Sequence, residues 1–135
     1  MKKTIYIFSL VFIISCSQNK NIIKKNRIGN YTLNEKLKGS IDRTVFDISV
    51  YNDNKIRSII TYSKIYKTKD GFSVGTNFKE ILLMSNSLKV QSIGLNKGKS
   101  VVGNIGNGIY YNDIMFVDNN GDEVVDFIWV QNKKE

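Results

Sequence analysis

The chain has no histidine and no proline, and its single cysteine, Cys16, stands at the end of an apolar leader. Without histidine, Ser-His-Asp triads, Cys-His dyads and histidine metal sites are excluded. One cysteine builds neither an internal disulfide nor a thiolate zinc site. Without proline there is no proline-rich linker or polyproline ligand. No apolar run approaches the ~20 residues of a membrane-spanning helix. The chemistry left to the side chains is that of carboxylates, hydroxyls and lysines, so the chain is expected to use no cofactor and no metal and to be no enzyme.

The chain has 135 residues and a formal charge of +8. Removal of residues 1–15 takes away Lys2 and Lys3, leaving eighteen basic residues against twelve acids, or +6. About 120 residues suit one small domain. The excess charge fits anionic partners such as lipid headgroups, cell-wall polymers or nucleic acid. A composition rich in Lys, Asn and Ile, as A/T-rich genes encode, is the weightier explanation. The charge is interspersed in the mature part, except over residues 20–27.

The leader is more specific. Lys2 and Lys3 precede an apolar stretch over residues 5–14, and Ile13-Ile14-Ser15-Cys16 closes it. Ten residues, apolar apart from Ser9, fit the h-region of a signal peptide. The order aliphatic, tolerant, small, cysteine resembles the lipobox of bacterial lipoproteins. The resemblance implies cleavage before Cys16, a diacylglycerol on its thiol and attachment to a lipid bilayer through that residue. It implies a cell-envelope location, with the outer membrane favoured over the inner. The ordinary alternative is a secretory leader with a chance cysteine.

Residues 16–27 read as lipidated cysteine and polar tether, residues 28–131 as a single domain and residues 132–135 as a polar tail. The fold class expected is α+β: an antiparallel sheet of about five to seven strands packed on one or two short helices. Thr32 and Glu35 form a capping box for a first helix carrying Leu33 and Leu37, stopped by Gly39. Asn77 and Glu80 form a second, before a helix carrying Phe78, Ile81 and Leu82. Residues 44–51 and 55–62 read as a hairpin around Asn52-Asp53-Asn54. Residues 72–74, 88–95, 110–117 and 123–130 read as further strands. Core candidates are Leu33, Leu37, Phe46, Ile48, Val50, Ile56, Ile59, Phe78, Ile81, Leu82, Val90, Ile93, Ile114, Phe116, Phe127 and Trp129. Trp129 is expected to pack against the helices, with Ile128 and Val130 on the other face.

Helix, strand, turn, strand recurs: once over residues 29–62 and again, with an insertion, over residues 75–130. A degenerate tandem helix-plus-hairpin repeat and chance recurrence both account for it. Val74-Gly75-Thr76-Asn77-Phe78-Lys79-Glu80-Ile81 is similar to the Gly-x-Thr entry to a short helix in β-lactamase-inhibitor-like proteins and envelope assembly lipoproteins. Residues 66–75 also resemble small bacterial lipoproteins. These likenesses imply a helix-plus-sheet fold and carry no catalytic residue.

Asp118, Asn120, Asp122 and Asp126 have the spacing of calcium-loop oxygens. An EF-hand needs glycine at the sixth position. Counted from Asp118, Gly121 is fourth and the flanks are strands, so a hairpin turn is favoured. The glycine-rich stretch over residues 103–108 has neither Walker nor dinucleotide spacing. The expected function is a membrane-anchored, non-catalytic module that binds an envelope protein and no nucleic acid. A basic binder of anionic wall or lipid polymer, using Lys64, Lys67, Lys69, Lys97 and Lys99, is the alternative. A toxin-immunity or inhibitor-type lipoprotein is a third. Cys16→Ala should abolish metabolic labelling with fatty acid and release the domain or leave it as precursor. Labelling equal to wild type refutes the lipobox.

Overall fold

The computed structural model describes residues 20–84, 90–97 and 100–133, with side chains for the same residues except 90–97 and 100–106. The leader, Cys16, Lys99 and the side chains of Val90, Ile93 and Lys97 lie outside the described residues. The fold is α+β and dominated by sheet.

Strands β4 (Phe46–Val50) and β5 (Ile56–Thr61) form the expected hairpin. Asn54 turns it at φ 63°, and Tyr51 N donates to Lys55 O at 2.9 Å. Phe46 and Ile48 point into the core. A register shift between Ser49 and Val50 then breaks the alternation, and Val50 is exposed rather than buried. The extra residue, Arg57, belongs to β5, and Val50 pairs with Ile56 at the end of β4, the strand at the sheet edge.

The single strand expected over residues 110–117 is instead a reversal between β8 (Ser100–Tyr111) and β9 (Ile114–Asp118). Asn112 and Asp113 have φ of 51° and 63°. Two consecutive left-handed residues make a type I′ turn, whose twist matches that of the flanking strands. Tyr111 pairs with Ile114 across it. The last strand, β10 (Phe127–Gln131), begins at Phe127 rather than Glu123, because residues 119–126 form a loop. With β7 (Val90–Lys97) beside β8, the order is β4-β5-β10-β9-β8-β7, antiparallel throughout.

A second sheet was not expected. Strands β1 (Ile22–Lys24), β2 (Arg27–Ile28), β3 (Tyr31–Thr32) and β6 (Lys67–Thr68) lie in the order β3-β2-β1-β6, with β1 and β6 parallel. The tether read over residues 16–27 is therefore folded from Ile22 onward. Ile23 is 2% exposed and Ile28 is fully buried; two isoleucines among lysines were enough to draw this basic stretch onto the core. Gly29 turns the chain at φ 58° directly under Tyr66, where a Cβ would come within 2.7 Å of the ring.

The helix expected after Thr32 does not form. Asn34 takes φ 66°, and the segment gives its backbone bonds to the β4–β5 hairpin. Asn34 N donates to Ile56 O, Ile56 N to Glu35 O and Leu37 N to Asn54 O, at 2.8–3.0 Å. With Gly39 so close, a helix here would have had barely a turn, too short to offset nucleation. The tandem repeat thus lacks its first helix. The second helix, α1 (Phe78–Met84), is as expected: Asn77 Oδ1 accepts from Lys79 N at 2.9 Å. Phe78 and Ile81 are buried, but Leu82 is 37% exposed. Phe72 and Val74, read as a strand, are buried in irregular chain.

The faces of β10 are the reverse of the expectation. Ile128 and Val130 join Phe78, Ile81, Ile23 and Ile28 in the main core. Phe127 packs with Ile60 and Val117 in a smaller cluster on the other side, and Trp129 and Met115 lie against it, half-buried. A continuous apolar run does not reveal which face is the deeper. Ile128→Ala should therefore cost about 3 kcal/mol in urea unfolding. Leu83→Ala, at a residue 85% exposed, should change stability by less than about 0.5 kcal/mol.

Candidate functional site

Three regions of the surface concentrate chemistry. The first is the β9–β10 loop. Asp118 ends β9 fully buried. Its Oδ1 accepts from the amides of Asn120 at 3.1 Å and Gly121 at 2.7 Å, and its Oδ2 from Glu123 N at 3.0 Å. Asn120 Oδ1 accepts from Asp122 N, Asp122 Oδ1 from Val124 N, and Asp126 Oδ2 from Asn119 N. The loop is a series of side-chain-to-backbone turns, for which Asn and Asp are the suited residues.

These bonds also gather the carboxylates. Oxygens of Asp118, Asp122 and Asp126 lie within 4.8 Å of one another. Two oxygens on opposite sides of one calcium are about 5 Å apart, given bonds of ~2.3–2.6 Å. The three residues can therefore share a hard divalent cation, with further oxygens completing the set. The glycine criterion had pointed away from this. What the sixth position requires is a left-handed backbone, and Glu123 occupies it at φ 62°. The turn expected between two strands is present, and it has the geometry of an oxygen-lined loop.

The second region is a groove of roughly 570 Å³ at the turn end of the β4–β5 hairpin, lined by Val50, Tyr51, Asn52, Arg57 and their neighbours. Tyr51 is 42% exposed yet held from two sides. The Arg57 guanidinium carbon is 5.9 Å from its ring centroid, and Asn132 Nδ2 donates to its hydroxyl at 3.4 Å. Asn132 itself pairs reciprocally with Asn34, at 3.1 and 2.8 Å. The groove was not read from the sequence, because Tyr51 and Asn132 are brought together from opposite ends of the domain.

The third region is a cleft of roughly 240 Å³ between the two sheets, lined by Ile23, Lys24, Lys25, Lys69, Tyr111 and Ile114 among others. Of the five lysines proposed for an anionic ligand, Lys69 lines this cleft. Lys67 lies on β6 and Lys64 in the turn after β5, beside Gly75. Lys97 lies on β7 with its side chain outside the described residues, and Lys99 is outside them altogether. Among the described side chains of the set, Lys69 alone lines the cleft. Beside the cleft, a hydrogen bond and ion pair with Lys133 hold the Asp113 carboxyl below its usual range and the Lys133 ammonium above its own.

No helix among the described residues is long and apolar enough to cross a membrane. No family model, curated protein or solved structure matches the chain. Asp118→Ala should destabilise the domain by about 3 kcal/mol or more, since three amides lose their acceptor at a buried position. Asp122→Ala, at an exposed position with one such bond, should cost about 1 kcal/mol. Chemical denaturation of the two variants tests the difference.

Proposed function

We propose that this chain is an exported lipoprotein, attached to the envelope through Cys16, that binds another envelope protein and performs no chemistry of its own. The sequence pattern of the leader supports the location. The observation that carries the binding reading is the groove beside β4, where Tyr51 is exposed but already immobilised by Arg57 and Asn132. Tyrosine and arginine are the residue types that dominate binding energy at protein interfaces. A ring fixed before the encounter loses little rotamer entropy on binding. Val50, exposed at the end of the edge strand β4, adds apolar surface next to it.

The groove lies at the edge of the six-stranded sheet, since β4 pairs with β5 alone. A partner there has both an anchor pocket and an open strand edge to engage. The inventory of side chains supports binding over catalysis: with no histidine in the chain and its one cysteine in the leader, the commonest nucleophile–base pairs are missing.

A photo-crosslinking residue at Asn52 should capture one discrete partner in intact cells, and one at Lys79 on α1 should not. Tyr51→Ala should weaken that capture about 30-fold, the loss expected of a 2 kcal/mol hot spot. Turnover of an envelope substrate by the purified chain, lost in a folded carboxylate variant, refutes the binding reading.

A further inference from the structure

We propose that the cleft between the two sheets, with Lys24, Lys25 and Lys69 around Tyr111, holds the phosphate of an anionic phospholipid headgroup. The proposal rests on the lipid anchor at Cys16 for its access to a bilayer.

The three lysines reach the cleft from two parts of the chain. Lys24 ends β1, Lys25 lies in the β1–β2 turn and Lys69 follows β6. None of them makes an ion pair among the described residues. Two acids stand nearby. Asp70 lines the cleft and accepts from the Tyr111 hydroxyl at 3.3 Å, and Asp113 is engaged by Lys133. The lining therefore carries three positive charges against one negative. Lysines lining one cleft bind phosphate as point charges and set no demand on its substituents.

Size and lining narrow the ligand. The cleft is smaller than the ~300–1,000 Å³ typical of drug-sized ligands, so it suits a headgroup rather than an acyl chain. Buried Ile23 and Ile114 supply an apolar lining against which a glycerol moiety can rest.

The position of the cleft in the chain favours a membrane source. Strand β1 begins six residues after Cys16, a span of about 20 Å when fully extended. Lysines tethered this closely reach the surface layer of the anionic leaflet, where each contributes about a fivefold gain in binding. Wall polymer lies farther out and has no such built-in proximity.

The test uses the full chain, matured in cells and placed in nanodiscs, with lysine acetylation read by mass spectrometry. On discs containing phosphatidylglycerol, Lys24, Lys25 and Lys69 should react several-fold more slowly than on phosphatidylcholine discs, while Lys38 and Lys79 react equally on both. Lys69→Gln should weaken the protection of Lys24 and Lys25 about fivefold; unchanged protection there reveals mere nearness to the membrane and overturns the cleft. Equal reactivity of the three lysines on both discs also overturns it. A chain that enters neither disc refutes the anchor, and the cleft is then read in solution. There, soluble dihexanoyl phosphatidylglycerol added to the Cys16→Ala chain should slow the same three lysines, and no slowing overturns the proposal. Protection by a glycerol-phosphate polymer equal to that by the lipid overturns the lipid assignment in favour of wall polymer.

Discussion

A central strand with apolar side chains on both faces needs two covers, and β10 imposes that demand here. It pairs with β5 on one side and β9 on the other, so its backbone is satisfied within the sheet. Ile128 and Val130 face one way, and Phe127 and Trp129 the other. One helix of seven residues cannot cover the deeper face alone. The small sheet built from β1, β2, β3 and β6 supplies the rest, through Ile23 and Ile28. A basic stretch that reads as solvated is thus recruited into the fold, because burying a branched aliphatic side chain is worth about 2 kcal/mol.

What could be read in advance follows from how much signal each element carries. The β4–β5 hairpin was legible because alternation and an Asn/Asp turn coincide. Helix α1 was legible because Asn77, Phe78 and Ile81 agree on one register. Strands of two or three residues have no period to detect, so the second sheet was hidden. The Thr32–Glu35 pattern was a false start: the local hydrogen-bonding option existed, but the nearby hairpin offered the same backbone groups better partners. Val50 was misplaced because alternation does not show that its strand lies at the sheet edge.

The sites were less legible than the fold, for a related reason. The loop after β9 was read as a turn between strands, and a turn is what forms; the sequence did not show that its bonds gather the carboxylates of Asp118, Asp122 and Asp126. The groove at Tyr51 and the cleft at Tyr111 draw on residues far apart in the chain. Only the closure of the sheet through β10 makes Asn132 a neighbour of Asn34 and Tyr51.

The placement of β10 also orders events in time. The strand that joins β5 to β9 follows both of them in the chain. Until it emerges, the chain has two separate antiparallel groups, β4–β5 and β7–β8–β9, each with an inner edge open to hydrogen bonding. Such edges are the sites at which unfinished chains pair wrongly with one another. A chain cut short by about ten residues would lose not a frayed end but the joint of the whole sheet. Closure of the sheet therefore waits on β10, which follows in the chain every other strand that it joins.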